Sequence, residues 1–339
     1  MAKKTETSKI SVRAKQTPRE FFTSWLLLFA MLVICVIFYI ANPRVFSTGS
    51  VESMLATASM QGIVALGLMF VMTTGVFDLA AGMKSALAAA IVGSMMAEGF
   101  TMGGYILAIA LGIAASVAFG VIHGVLTINL KIPGFIAALA LRMILQAVVA
   151  LLTKNTVFYS NDWGEQFKVI GQGSLFGIPY PFLIFVALCV ICWFFYERTR
   201  TGRHIYATGA NQTAAAQVGI NTVKIKYISF IVGAILCAIG GILYTSRNFN
   251  VCVQQGLDIQ MPAMTTVLLG AAFWEPGKYN VPGCFVGALF TVLLTTGTFS
   301  IFTGGLWVNA LLQGLAFLIA LGLISRTMDG GLSKVNFDM

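Results

Sequence analysis

The stretch IVALGLMFVMTTGVFDLAAGMKSALAAAIVGSMM, residues 63–96, decides the fold class of this chain. It joins two apolar runs through a short segment in which Asp78 stands between Gly75 and Gly82. Apolar runs of about 20 residues predict helices that cross a membrane. The glycine-flanked Asp78 predicts a break between two such helices, because open backbone inside a membrane needs protein or water around it.

The composition of all 339 residues supports the same fold class. Of these residues, 58% are hydrophobic and 10% are charged, whereas about 25% are charged in soluble domains. The mean hydropathy of +0.87, with 26 Phe and 35 Gly, indicates lipid-facing helices that pack through small residues. Soluble globular, disordered, collagen-like and coiled-coil proteins are excluded. We predict an all-α polytopic membrane protein.

Apolar segments of spanning length define a single transmembrane domain over residues 21–325, between a basic tail at 1–20 and a tail at 326–339. The first segment lacks a small-residue cleavage site, so it is expected to remain as the first helix. The segments that begin at 83, 262 and 282 are short, which is typical of broken helices that line a pathway. About ten transmembrane helices are predicted, over residues 22–41, 51–73, 83–97, 104–128, 133–152, 179–196, 227–244, 262–274, 282–298 and 304–325.

The net charge of +9 comes from Lys and Arg in short segments between the apolar runs. Such bases indicate topology rather than a nucleic-acid partner. With ten spans, most of the 21 Lys and Arg residues, Lys84 included, fall on one side. The positive-inside rule therefore predicts that both termini are cytoplasmic.

Two loops are longer than ordinary connectors. The loop at 153–180 is predicted to lie outside, and the basic loop at 197–226 inside. The second contains TGANQTAAAQVGI at 208–220, an alanine run between a Gly-Ala-Asn start and a glycine stop. These signals predict a short helix over residues 208–220.

Motifs for catalysis are missing from the sequence, which contains no G-x-x-x-x-G-K-[ST], no H-E-x-x-H and no G-x-S-x-G. The two histidines, His123 and His204, are too few for an imidazole cluster. All six cysteines except Cys252 lie in apolar runs, where free thiols pack as small hydrophobes. We therefore expect no enzyme, no ATPase site, no metal site, no disulfide framework and no cofactor bound by this chain.

Polar side chains within the spans are the candidates for function, since an ionisable group in a membrane costs at least a few kcal/mol. Asp78, with Gly82 nearby, can brace the broken helix, contact the substrate or lie hydrated near the cytoplasmic interface. Arg142 can brace another helix, face an aqueous cavity or contact the substrate. The uncharged set can line a path for a hydroxyl-rich solute or bond neighbouring helices, and comprises Gln61, Gln146, Thr265, Thr266, Thr295, Thr296, Asn309 and Gln313.

Three blocks of the sequence resemble the membrane permeases of bacterial ABC importers for ribose, xylose, galactose and similar monosaccharides. TGVFDLAAG at 74–82 is similar to that family's signature, and MPAMTTVLLGAAFWEPGKYNVPGCFVGAL at 261–289 follows its layout, although Trp274-Glu275-Pro276 departs from the usual small residues. The loop at 197–226 is similar nearly throughout, including Thr201, Gly202, Arg203, Gly209, Asn211, Ala214, Ala215, Gly219 and Ile220.

The resemblance implies a permease subunit of an ATP-driven importer that works by alternating access. Its partners would be a second permease chain in a homodimer or heterodimer, a cytoplasmic ATPase that uses the ATP, an extracytoplasmic solute-binding protein and the lipid bilayer, with no nucleic acid. The protein would be a multi-pass component of the bacterial cytoplasmic (inner) membrane. The helix at 208–220 would be the coupling helix in a groove of the ATPase, and Arg203 would pair with the ATPase or with anionic lipid.

Other functions remain open on the sequence. The permease of a related nucleoside importer has similar signature blocks, and a secondary carrier or channel, an intramembrane enzyme or an assembly scaffold are further alternatives. The shortage of ionisable groups in the spans argues against a proton-driven carrier. Gly75 and Gly270 each precede a second glycine by seven residues, which is consistent with an internal repeat.

Overall fold

The computed structural model describes residues 18–97, 102–159, 165–301 and 306–327. A 3₁₀ turn spans Pro43–Phe46, and a π-helical turn spans Val125–Asn129. Strand β1 (Phe158–Tyr159) pairs antiparallel with β4 (Asn250–Val251), and β2 (Ser174–Leu175) with β3 (Ile178–Pro179). The α-helices are α1 (Pro18–Ala41), α2 (Thr48–Thr73), α3 (Ala81–Ala97), α4 (Met102–Gly124), α5 (Gly134–Leu152), α6 (Glu165–Gln172), α7 (Tyr180–Arg198), α8 (Arg200–Ala210), α9 (Gln212–Gln217), α10 (Thr222–Asn248), α11 (Val253–Gly270), α12 (Val281–Ile301) and α13 (Leu306–Thr327).

Within the described residues, six helices are long and apolar enough to cross a membrane, namely α2, α4 with its π-helical continuation, α5, α7, α10 and α12. Shorter apolar helices lie at Leu27–Ala41, Ala81–Met96 and Ala310–Ile319. A polytopic all-α membrane protein is therefore confirmed, while the count of about ten spans is not.

Two helix lengths differ from the sequence-based prediction. The segment predicted over 282–298 is the full-length helix α12, so it is not short. The segment predicted over 262–274 is α11, which begins at Val253 and ends at Gly270. Its first turns carry Gln254, Gln255 and Asp258, and this polarity keeps α11 out of the set of helices that are apolar enough to cross a membrane. The predicted tails fall largely outside the described residues, although Pro18–Glu20 already belong to α1.

The centre of the bundle is formed by α2 and α10, which bury most of their length, with α3, α4, α11 and α12 packed around them. Glycines allow the two central helices to touch. A Cβ atom on Gly67 or Gly233 would collide with the carbonyl oxygen of the other residue. Peripheral helices instead expose apolar side chains, such as Ile40 on α1 and Leu151 on α5. This distribution is expected of a bundle whose outside faces lipid and whose inside depends on close packing.

The bundle has two distinct ends. At the first, α6 packs against the end of α10, the Ser246 hydroxyl donates to the Phe167 carbonyl, and β1 pairs with β4. We call this the sheet end. At the other, α8 packs against the end of α2, and the Tyr206 hydroxyl donates to the Tyr279 carbonyl at 2.7 Å. We call this the α8–α9 end.

Candidate functional site

A break separates α2 from α3, as the sequence predicts. We define the first break as residues 74–80. The helix α2 ends at Thr73, and Gly75 has a φ of +86°, a conformation that side chains disfavour. Residues 76–78 are non-helical, and α3 begins at Ala81. The chain therefore leaves one helix and enters the next through open backbone, whose polar groups need partners.

Asp78 supplies several of these partnerships. Its Oδ1 accepts from the Ala80 N–H at 2.9 Å, and its Oδ2 accepts from Lys84 Nζ at 2.6 Å. The Asp78 Oδ1 also lies 3.6 Å from Nδ1 of His123, whose ring packs on Phe230 at 4.6 Å. The Asp78 and Lys84 side chains are 2% and 1% exposed. Asp78 is thus buried at the break, where its carboxylate bonds both the backbone and Lys84.

Lys84 is a correction to the topology argument. The sequence analysis counted it among the loop cations on the cytoplasmic side, but its ammonium group is buried and bonded to Asp78. A buried lysine with a carboxylate partner satisfies that carboxylate and carries no information about which side faces the cytoplasm.

A glutamine from α11 completes the first break. Gln260 Nε2 donates to the Asp78 carbonyl at 3.1 Å, and the Gly82 N–H donates to Gln260 Oε1 at 2.7 Å. One buried amide therefore satisfies an orphan carbonyl and an orphan N–H at the start of α3. Gly82 allows this approach, because a Cβ there would collide with the carbonyl oxygen of Gly256 on α11.

A second break separates α11 from α12, and we define it as residues 271–280. Asn280 holds it together: its Nδ2 donates to the Phe273 carbonyl at 2.9 Å, and its Oδ1 accepts from the Gly283 N–H at 2.7 Å. The middle of the loop is at the surface, where Lys278 Nζ lies 3.1 Å from Glu275 Oε2. Trp274 has a φ of +65° and packs edge-on against Trp25 of α1.

The helix α8 contacts both breaks. A Cβ on Gly209 would collide with the Thr73 carbonyl oxygen, so α8 touches the last residue of α2 through its backbone. Its Tyr206 bonds the second break at Tyr279. Burial and the nearby Glu197 and Glu275 carboxylates hold the pKa of Tyr206 well above its usual range, and burial raises the pKa of Tyr279 to about 12. The Tyr206 phenol therefore stays a donor across the physiological pH range.

The helix predicted over 208–220 is divided between two helices. Thr208–Ala210 close α8, whose first turn is capped by the Thr199 hydroxyl. The side chain of Asn211 accepts from the Ala214 N–H at 2.9 Å and begins α9, which ends at Gln217. Asn211 is part of the start that the sequence predicts, because its side chain caps α9, whereas the preceding Thr208–Ala210 still belong to α8.

The residues predicted to couple this loop to an ATPase do not share one surface. Ala215 is 4% exposed and packs within the chain, and Ile220 is half-buried. The exposed members are Arg203, Asn211, Ala214 and Gly219. Val218, which the sequence analysis did not select, is 77% exposed beside them.

The remaining candidates are scattered. Arg142 and Gln146 lie half-buried on α5, without a hydrogen bond or ion pair to the part of the chain that the structure describes. Thr265 donates to the Met261 carbonyl, and Thr266 shares a 3.0 Å hydrogen bond with Thr291 of α12. Thr265 thus bonds within its own helix, and Thr266 bonds across to the neighbouring one. Asn309 and Gln313 lie on α13, and the Asn309 side chain is outside the described set.

Sequence analysis missed Lys84, Gln260 and Asn280 as parts of the breaks. A cation six residues after Asp78 was a usable signal, since lysine is rare at the start of an apolar helix. Gln260 lies 182 residues from Asp78 and had no local signal. Among the described residues, no group of three or more His, Cys, Asp or Glu side chains could hold a metal ion.

Comparison with known proteins identifies the family. The family model described as "Branched-chain amino acid transport system / permease component" matches residues 50–321. The chain is 30% identical to the ribose import permease protein RbsC of Escherichia coli strain K12 over an alignment of 288 residues that covers 82% of this chain and 88% of that protein. It is 28% identical to the galactofuranose transporter permease protein YtfT of the same strain over 250 residues, covering 74% and 72% of the two chains.

A solved structure supports the fold. An inward-facing metal-chelate type ABC transporter matches with a TM-score of 0.52 at 12% identity, covering 91% of this chain and all of that chain. That likeness concerns the arrangement of helices alone, whereas the family model and the ribose permease cover most of the sequence. The chain therefore belongs to the family of ABC transporter permease components that is named for branched-chain amino acid transport and includes ribose import permeases among its members.

Proposed function

We propose that this protein is the transmembrane permease subunit of an ATP-driven importer for a monosaccharide. The observation that carries the proposal is the resemblance to ribose permeases over most of the chain, together with a family model that spans both breaks and the α8–α9 region. A partner ATPase supplies the energy, a solute-binding protein delivers the sugar, and a second permease chain completes the pathway. The chain itself has no ATPase site in this scheme.

The proposal includes a topology of about ten spans with both termini in the cytoplasm. The three shorter apolar helices and α11 are added to the six longer spans. Burial of Gln255 and Gln260 on α11 and of Lys84 on α3 supports this count, because a helix shielded by protein need not be apolar along its whole length. The α8–α9 end is then cytoplasmic and the sheet end faces outward.

Coupling to the ATPase would run through α9 and α8 into the first break. The exposed face of α9, with Ala214 and the neighbouring Val218, is the surface offered to the ATPase. The adjoining helix α8 contacts Thr73 through Gly209 and the second break through Tyr206. Rigid displacement of α8 and α9 would therefore move the end of α2 and the second break just before α12, at the points where the helices are already interrupted.

The test of function is uptake in proteoliposomes that contain the permease, its ATPase and its binding protein. Radiolabelled ribose, xylose, galactose, nucleosides and leucine are compared with and without ATP on the ATPase side. Accumulation of one pentose or hexose that requires ATP is expected. Uptake of nucleosides or leucine alone would assign a different cargo, and flux without ATP would overturn the coupled importer.

A charged variant tests the coupling surface in the same assay. Val218→Asp is expected to abolish uptake while the purified permease keeps its melting temperature, because the substitution is at an exposed site and places a charge in an apolar contact. The matched control is Val169→Asp on α6, since Val169 is 51% exposed at the sheet end. Normal uptake by Val218→Asp would show that this surface is not the contact with the ATPase.

A further inference from the structure

Polar side chains of two helices are uncovered in the half of the bundle next to the sheet end. On α2, Thr57 and Gln61 are half-buried, and on α11, Gln254 and Asp258 are exposed. Beyond Gln61 and Met261, towards the α8–α9 end, α2 and α11 bury every one of their residues. The uncovered positions of these two helices therefore lie in one half of the bundle.

The helix α5 adds a cation to the same side. Arg142 and Gln146 are half-buried and share a face of α5 with Leu139. Leu139 packs against the core cluster that contains the buried hydrophobic residues of α11. Val148, on the opposite side of α5, packs against the cluster that contains most of α3. Arg142 and Gln146 thus lie on the flank of α5 that is directed to α11.

Strand pairing sets the depth of these side chains. The strand β1 follows α5 and pairs with β4, which precedes α11, so the end of α5 lies beside the start of α11. Gln146 is six residues before the end of α5, and Asp258 is five residues after the start of α11. The two side chains therefore lie at a similar depth, and Arg142 lies one helical turn deeper. We define the polar face by its side chains, which are Thr57, Gln61, Arg142, Gln146, Gln254 and Asp258.

Arg142 argues against lipid as the covering of the polar face. Along the helix axis it is about 12 Å from one end of α5 and about 15 Å from the other. Long basic side chains reach the membrane interface from positions near helix ends, whereas Arg142 is in the middle. It forms no hydrogen bond or ion pair with the residues that the structure describes. An arginine of this kind faces water or another protein, because hydrocarbon destabilises an unpaired guanidinium.

The charges of the polar face fit a second copy of this chain. Arg142 is its cation and Asp258 its carboxylate. Asp258 accepts from Gln254 Nε2 at 2.6 Å and forms no ion pair within the described ranges. In a two-fold symmetric pair, the same patch of both copies meets, so a residue of one contacts a different residue of the other. A face with one charge of each sign is therefore complementary to itself, whereas a face with a single charge would repel its copy.

We propose that the polar face is one wall of a water-filled pathway, and that a second copy of this chain supplies the opposite wall. The inference rests on the importer proposed above, which needs a second permease chain, and it identifies that chain and the face that it meets. Water reaches Arg142 from the sheet end. Arg142 marks its inner limit, because residues 134–141 of α5 are apolar.

Cysteine labelling tests whether water reaches the polar face. The parent chain carries Cys35→Ser and Cys252→Ser, because the other four cysteines are buried. Gln146→Cys places a thiol on the polar face. Ile144→Cys is the matched control, since Ile144 is 52% exposed, at nearly the same depth and on nearly the opposite side of α5. If exposure in the isolated chain decided labelling, the control thiol would react faster.

A charged methanethiosulfonate reagent is added to membranes that hold the complete transporter. It is expected to modify Gln146→Cys and to leave Ile144→Cys unmodified, because the reagent dissolves in water and not in lipid. ATP-dependent uptake by Gln146→Cys before labelling shows that the variant is assembled, and modification is expected to stop that uptake by filling the pathway. Equal labelling of both variants, or no labelling of Gln146→Cys, would overturn the water-filled wall.

Cross-linking tests the second copy. Two differently tagged copies of each variant are expressed together, and bis-maleimides of graded length are added. A product with both tags is expected from Gln146→Cys and not from Ile144→Cys, because only the first pair of thiols faces across the pathway. Absence of that product at every length, or a product that joins Gln146→Cys to a different permease chain, would overturn the second copy.

Labelling and cross-linking do not depend on the identity of the cargo. If both succeed while no monosaccharide of the panel accumulates, the proposed function is overturned and this inference stands. If a sugar accumulates normally while Gln146→Cys stays unlabelled, this inference alone is overturned.

Discussion

The two helix breaks solve the same backbone problem with different chemistry. At residues 74–80, a carboxylate and a lysine form an ion pair with side chains 2% and 1% exposed, and an amide from α11 satisfies the flanking backbone. At residues 271–280, a local asparagine satisfies the backbone, and the ion pair of Glu275 with Lys278 is 50% and 63% exposed.

The two breaks differ in how far the hydrogen bonds of their backbone depend on packing with other helices. The first break is held by a residue 178 positions away from Gly82, so α3 and α11 must be packed before its backbone is satisfied. The second is held mainly by Asn280 within the break itself, with one further hydrogen bond from Tyr206 of α8 at the surface end. We infer that the first break is the one sensitive to helix movement, whereas the second can remain intact when neighbouring helices shift.

Loss of the buried Asp78 carboxylate is expected to lower the free energy of unfolding most. Asp78→Asn leaves the Lys84 ammonium without its anionic partner and should lower the free energy of unfolding by about 3–5 kcal/mol. Thermal unfolding of the purified protein measures this. Adding Lys84→Met should recover part of the loss, because the unpaired charge is removed. A melting temperature of Asp78→Asn equal to the wild type would contradict the buried pair.

Removal of the amide side chains that bridge the two breaks should have the second-largest effect on the free energy of unfolding. Gln260→Leu orphans the Asp78 carbonyl and the Gly82 N–H and should cost about 2–4 kcal/mol of unfolding free energy. Asn280→Leu should cost less, since the surface loop lets water replace some of its bonds. The melting temperatures of both variants test this order, and an equal or larger loss for Asn280→Leu would remove the distinction between the breaks.

Glycine substitutions separate close packing from backbone conformation. Gly82→Ala forces α3 away from the Gly256 carbonyl and should cost about 1–3 kcal/mol. Gly277→Ala meets a φ of +89° and should cost about 1–2 kcal/mol from backbone strain alone. Uptake assays add a second readout: Gly82→Ala is expected to slow transport, and Gly277→Ala to leave it unchanged. The reverse pattern would assign the sensitive movement to the second break.

Loss of the exposed ion pair in the second break should change the free energy of unfolding least. Lys278→Met is expected to change the unfolding free energy by less than about 1 kcal/mol, because solvent screens a pair that is 63% and 50% exposed. A double-mutant cycle with Glu275→Gln measures the coupling, which should weaken further at high salt. Coupling of several kcal/mol would show that the second break also relies on charge.

Much of this arrangement was predictable where the signal is local. The break around Asp78 follows from glycines and a carboxylate in an apolar run, and α9 begins at Asn211 because that side chain caps the helix. The polar first half of α11 was missed, because hydropathy averages over all faces of a helix while burial concerns each face separately. Ala215 was selected as an ATPase contact but packs inside the chain.

The sequence by itself determined the membrane class, the positions of both breaks and the family, since these depend on composition, on local backbone preference and on residues close together in the chain. The tertiary structure alone decided that Gln260 of α11 bridges the first break and that Thr266 of α11 bonds Thr291 of α12. Those contacts join residues from different helices, and only the packing of the helices determines which polar groups meet once water is excluded.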